Sequence, residues 1–218
     1  MNVNRMKAML MLVGSGLLAT GCLVDETTHG LYLQPDGGVS WTVRQQDVRS
    51  DSKERRTEEE ERFLANVRAE RHAVALAFDL LAAQRVETLL VRDTRPYTVV
   101  TRARFARIDR VLQNLLDGLC VHADVELQRE GDEFRLSVDY SPDVPDDCDS
   151  DQEEILGALV EEPEQFRFVL TEGRFVEAEG FEIAKDGLLA KGLSPSEEEV
   201  ENDPETRSYS LTWRVSDD

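Results

Sequence analysis

Phe134-Arg135-Leu136-Ser137-Val138-Asp139-Tyr140 alternates without a break between apolar and polar side chains. Successive side chains on a strand point to opposite faces, so this stretch reads as a strand with one buried face and one wet face. Residues 125–129 precede it across Glu130-Gly131-Asp132, which makes the pair a hairpin. Just upstream, Phe105, Ile108, Val111, Leu112, Leu115, Leu116 and Leu119 recur at spacings of three and four. That is the period of an amphipathic helix. A half-wet hairpin next to a one-sided helix predicts an α+β fold, with the helix covering the sheet's apolar face.

The same signals repeat along the chain. Residues 31–34 and 39–44 flank Pro35-Asp36-Gly37-Gly38, and Asp-Gly between alternating runs favours a tight hairpin turn. Residues 86–91 and 97–104 flank Asp93-Thr94-Arg95-Pro96. Residues 165–170 and 174–183 flank Glu172-Gly173, which predicts a fourth hairpin. A short strand is expected at 187–190 and a closing strand at 209–215. A charged helix is expected over 51–71, with Thr57 and Glu60 as a capping box. The Ala- and Leu-rich stretch 72–84 reads as a buried helix or the continuation of that one. Ser150 and Glu153 start a short helix reaching about residue 160. The expectation is therefore a mostly antiparallel sheet built from hairpins, with two or three helices packed on one face.

The N-terminus has a different character. Arg5 and Lys7 precede an apolar run from Met9 to Leu18, and Leu17-Leu18-Ala19-Thr20-Gly21-Cys22 follows. The run is shorter than the ~20 residues a spanning helix needs. A charged start, a short apolar run and small residues are the build of a removable export signal. Ala19-Thr20-Gly21-Cys22 resembles the bacterial lipobox, with Ala19 where that family prefers a large aliphatic residue. The resemblance implies removal of 1–21, a lipid, typically including palmitate, on Cys22, and anchorage in the envelope. Leu23, not Asp, at the second mature position resembles the class sorted to the outer membrane, facing the periplasm. The other reading is an ordinary cleaved signal with an incidental cysteine. Residues 22–29 are expected to be a polar tether, with a single domain over 30–218.

Charge and cysteines bound the rest. The chain carries −20. Almost all of the excess lies beyond residue 120, so the C-terminal half of the domain is strongly acidic. Such a surface repels a phosphate backbone, which argues against nucleic acid as a partner, and it argues against broad adsorption to anionic lipid as well. With Cys22 lipidated, Cys120 and Cys148 are left to form a disulfide in an oxidising compartment. That bridge would contribute ~3–3.5 kcal/mol by the chain-entropy model; two free thiols are the alternative.

Motifs for chemistry are sparse. Catalytic residues are not assigned: His29, His72 and His122 sit in no recognisable triad, and no phosphate-cradling glycine loop is present. Asp147, Asp149 and Asp151 have the alternate spacing of a calcium loop, but Gln152 stands where the turn needs Gly. An exposed acidic loop is the simpler account, so no cofactor or metal is expected. Arg102, Arg104, Arg107 and Arg110 form a candidate basic patch, facing lipid headgroups, an acidic partner, or the protein's own acidic half. The sequence thus favours a non-enzymatic, membrane-anchored binding or scaffold module with an envelope protein partner. The alternatives are a carrier of an apolar ligand, with Phe166, Phe168, Phe175 and Phe181 lining its cavity, or an unrecognised hydrolase.

Overall fold

The structure, a computed structural model, describes residues 23–140, 150–157, 159–160, 166–192 and 207–215. It is α+β, with mostly antiparallel strands and a few helices. Its elements are β1 (Leu23–Leu33), β2 (Val39–Ser50), α1 (Arg56–Arg68), α2 (Ala73–Leu80), β3 (Arg85–Arg92), β4 (Tyr97–Phe105) and α3 (Ile108–Gly118). There follow β5 (Ala123–Glu130), β6 (Glu133–Tyr140), α4 (Ser150–Gly157), β7 (Phe166–Leu170), β8 (Arg174–Glu179), β9 (Phe181–Ile183), β10 (Leu189–Gly192) and β11 (Arg207–Arg214).

The strands form two sheets where the sequence suggested one. The larger has seven strands in the order β3-β4-β2-β1-β7-β10-β9, and the smaller has four in the order β5-β6-β11-β8. The first three expected hairpins form, as β1–β2, β3–β4 and β5–β6. The fourth does not. β7 leaves for the larger sheet, where it pairs parallel with β1 and antiparallel with β10. β8 pairs with β11 in the smaller sheet. Glu172-Gly173 has the chemistry of a tight turn, but the turn joins strands of different sheets.

The expected tether is a strand. Residues 23–29 belong to β1, which pairs with β2 from Leu23 opposite Ser50 to Leu33 opposite Val39. Its first four residues are exposed, so they show no inward alternation. Backbone hydrogen bonds, not side-chain burial, hold them in the sheet.

Helix boundaries also moved. The charged run is α1 alone, and no side-chain cap starts it. Glu60 is not in a capping box with Thr57. It accepts from the Ser50 amide at 3.1 Å and pairs with Arg95 at 3.2 Å. The chain breaks at Glu70, which takes a left-handed φ of 54°, and α2 begins afresh at Ala73.

The inner faces of both sheets share one core. Leu31, Trp41, Ala103 and Phe168 from the larger sheet meet Leu136, Leu211 and Trp213 from the smaller. Phe78 of α2, Ile108 of α3 and Leu156 of α4 complete it. Phe134 and Trp213 stack at 5.3 Å across the smaller sheet. A second cluster joins Phe63, Leu64 and Val67 of α1 to Val48 and Val99. The backbone amide of Ile108 donates to the Gly37 carbonyl at 3.1 Å, tying the start of α3 to the β1–β2 turn.

Between β8 and β9 a single residue links the two sheets. β8 ends at Glu179 in the smaller sheet and β9 starts at Phe181 in the larger, so the chain crosses between them at Gly180. Gly180 has φ +76°, and a Cβ there would sit 2.2 Å from Cδ1 of Tyr209. Both facts demand glycine. Gly131 has φ +64° with open space around the missing side chain. Gly131→Ala therefore costs the backbone term alone, ~1 kcal/mol, and Gly180→Ala adds overpacking of about 1–3 kcal/mol more. Urea denaturation of the two variants checks this; equal losses would contradict the steric argument.

Candidate functional site

The outer face of the larger sheet is the most distinctive surface of the molecule. On β4 the inward side chains are Val99, Thr101, Ala103 and Phe105, all buried, so Arg102 and Arg104 point outward. Register fixes their neighbours. Arg102 lies opposite Glu87 of β3 and Thr42 of β2, and Arg104 lies opposite Arg85 and Ser40. Thr42 faces Gly30 of β1, which faces Arg167 of β7, which faces Lys191 of β10. Lys191 in turn faces Glu182 of β9. One lateral row of the face thus crosses six strand pairings and carries three cations. Arg44 and Arg92 extend the face toward the other end, along with Glu26. No described helix covers it: the buried residues of α1 and α2 pack with inward residues such as Val99 and Trp41.

Within this face Arg85 pairs with Glu87. Arg102, Arg104, Arg167 and Lys191 make no ion pair with any described residue. A groove of about 110 Å³ runs between Arg85, Arg102 and Arg104. Tyr32 shares the face, and its ring lies over Gly30, where an added Cβ would come 3.1 Å from ring carbon Cε2.

Of the four arginines named from the sequence, Arg102 and Arg104 lie on this face. Arg107 precedes α3 and binds Asp109 through two hydrogen bonds of 2.9 and 3.0 Å, and Arg110 is exposed on α3, a helix of the inner layer. Arg44, Arg85, Arg167 and Lys191 were missed. Strand parity could have found the first two; Arg167 and Lys191 depend on the β1–β7 pairing, which no local signal announces.

The smaller sheet's outer face has the opposite sign. Asp124 lies opposite Asp139, Glu126 opposite Ser137, and Glu179 opposite Ser210. Arg135, opposite Gln128 and Thr212, is a cation among these carboxylates.

The two buried histidines have structural partners. His29, expected in the tether, is 1% exposed. Its Nδ1 accepts from Trp41 Nε1 at 3.1 Å, and its ring stacks on Phe166 at 4.6 Å. Burial lowers its pKa to about 4. His72, between α1 and α2, sits 2.8 Å by Nε2 from Thr101 Oγ1, and burial lowers its pKa too. His122 is exposed. Neither buried imidazole hydrogen-bonds a thiol or carboxylate among the described residues.

Two further hollows lie among the described residues. A polar cleft of about 490 Å³ lies beside the start of β1, between Leu23, Gln45, Arg62 and His72. An apolar cavity of about 200 Å³ lies between the sheets, under Leu112 and Leu116 of α3 and Leu119 just beyond it. Phe166, Phe168 and Phe181 line it; Phe175 does not, and packs edge-on against Trp213. Its volume falls below the ~300 Å³ at which small-molecule pockets begin. Tyr140 also lines it, and burial pushes its phenol pKa up to about 12.

Of the remaining expectations, Cys22, Cys148, Asp147 and Asp149 lie outside the described residues. Asp151 is in the first turn of α4. Cys120 is disulfide-bonded. It follows α3 in a left-handed conformation, φ 58°, where its amide donates to Asp117 O and that of Val121 to Leu116 O. This is the bonding of a helix-terminating turn, usually built on glycine.

Two predictions follow from these groups. A neutral His29 fits the fold, so the unfolded chain takes up a proton first as pH falls. Its stabilisation is whole above about pH 6.5 and is lost progressively toward about pH 4, on the order of 3 kcal/mol in all. His29→Asn keeps an acceptor for Trp41 but does not titrate. It should be ~1–2 kcal/mol less stable at pH 7 and lose less between pH 7 and 5 in urea titrations. Separately, Cys120→Ser should cost about 3 kcal/mol, and Cys148→Ser the same without adding to it. Thermal unfolding of the single and double variants tests the pairing.

No family model matches this sequence, and no curated protein matches it either. Among solved structures, the folded domain of LppM (Rv2171) from Mycobacterium tuberculosis is similar at 13% identity and a TM-score of 0.41, over 93% of this chain and 96% of that one. The Fcho1 Mu homology domain of Danio rerio with a bound Eps15 peptide aligns at 9% identity and a TM-score of 0.19, over 90% of this chain and 81% of that one. At these scores neither likeness assigns a fold or a function to the chain.

Proposed function

We propose that the chain is an envelope lipoprotein, exported by residues 1–21 and lipidated on Cys22, in the outer membrane facing the periplasm. The folded part is a non-enzymatic binding or scaffold module that holds an envelope protein partner at the bilayer. The observation that carries this reading is the junction at residue 22. Leu23, the residue after the lipobox-like Ala19-Thr20-Gly21-Cys22, is already paired in β1, opposite Ser50. A lipid on Cys22 would hold the domain at the surface by a central strand of its larger sheet, with no intervening slack.

Other features support a binding role. The buried imidazoles serve packing, with Trp41 and Thr101 as their partners. The two outer faces differ in charge, as suits a module that presents different surfaces to different neighbours. No helix among the described residues is long and apolar enough to cross a membrane. Attachment through lipid needs more than one acyl chain to last, because a single chain binds only marginally.

Metabolic labelling with an alkynyl palmitate tests the reading. The wild-type chain should take up label and fractionate with membranes. Cys22→Ala should take up none and appear in the soluble fraction. An unlabelled wild-type chain would overturn the proposal.

A further inference from the structure

We propose that the outer face of the larger sheet is a second membrane contact, laid against the phosphate headgroups of anionic phospholipids in the leaflet that holds Cys22. This deepens the reading above and rests on its anchor.

Charge is the first ground. The chain is −20 overall, yet cations outnumber carboxylates on this face, and six of them, Arg44, Arg92, Arg102, Arg104, Arg167 and Lys191, make no ion pair with a described residue. Arg85, Arg102 and Arg104 line a shared groove with Glu87, which pairs with Arg85. Guanidinium groups suit phosphate oxygens because their planar donors can engage two at once. Screening confines exposed charge to about a Debye length, ~8–10 Å, so a local cationic face can attract a surface that the whole molecule would repel. The acidic outer face belongs to the other sheet, and both inner faces point into one core. The same field that draws one face down therefore turns the other away.

Composition decides which anionic partner. Among the cations stand Leu89, 64% exposed, Val91, 57% exposed, and Tyr32, 40% exposed. Leu89 lies opposite the outward Val100 of β4. Basic side chains mixed with exposed aliphatic and tyrosine side chains match the boundary between headgroups and acyl chains. An acidic peptide would leave the aliphatic groups unexplained.

Reach is the third ground. Gly30 lies in the cationic row and is eight residues along β1 from Cys22. At the strand rise that is ~26 Å. The anchor and the face are carried on one strand of one sheet, so a bilayer holding the first is within reach of the second.

The lipidated full-length product can be mixed with vesicles of phosphatidylcholine alone, or of phosphatidylcholine with phosphatidylglycerol, at low salt. Flotation reports attachment. Phenylglyoxal modification read by mass spectrometry reports the exposure of Arg102, Arg104 and Arg167, with Arg135 as reference. The expected result is flotation with both vesicles and severalfold slower modification of the three arginines with the anionic vesicles alone. High salt should reverse that protection. In Arg102→Glu/Arg104→Glu, checked for fold by circular dichroism, the protection of Arg167 should vanish while flotation persists.

Flotation with both vesicles and equal modification would overturn the contact and leave the anchor standing. Flotation with neither would overturn both. Flotation and protection with anionic vesicles alone would support the face and sink the anchor. Protection that grows with protein concentration, without vesicles, would assign the face to a second copy of the chain and overturn the proposal.

Discussion

The fold depends on β1 having two partners. It pairs with β2, next in sequence, and with β7, far along the chain; Thr171 Oγ1 donates to the Leu33 carbonyl across a separation of 138 residues. β1 thereby stops being an edge, and the last third of the larger sheet gains a place to attach. Its inward residues His29, Leu31 and Leu33 are nearly fully buried. They supply the aromatic seam with Trp41 and Phe166 on which the first half of the core is built. Closing so long a loop costs conformational entropy before any contact returns it. The pairing is worth its cost because it completes both the hydrogen-bond ladder and the apolar face in one step.

What could be read from the sequence was what local chemistry specifies. Asp36-Gly37 and Glu130-Gly131 turn strands that are neighbours in sequence, and those hairpins form where alternation predicts them. The period of Ile108, Val111 and Leu115 identifies α3 because its buried stripe faces one core. The rest fails for physical reasons. Leu23 to Glu26 are exposed on both sides of the strand, so they carry no alternation and look like linker. Glu172-Gly173 turns the chain sharply, but a turn's chemistry does not say which sheet receives each arm. Arg167 and Lys191 join the cationic face through register alone.

Charge is sorted by surface rather than simply by position in sequence. Near-neutrality before residue 121 and acidity after it suggested two electrostatic halves. The structure moves Arg167 and Lys191 from the acidic half onto the larger sheet, beside Arg102 and Arg104. Asp124, Glu126, Asp139 and Glu179 gather on the smaller sheet. Among the described residues the two sheets therefore carry opposite charge on their outer faces, which a count along the chain understates.

Gly180 gives the crossing between sheets a further meaning. Gly180, Phe181 and Tyr209 are part of the wall of the apolar cavity, and the run from β8 to β9 works there as a clasp. At this wall, moving the sheets apart would strain the single residue between them and pull on the pairing of β8 with β11 or of β9 with β10.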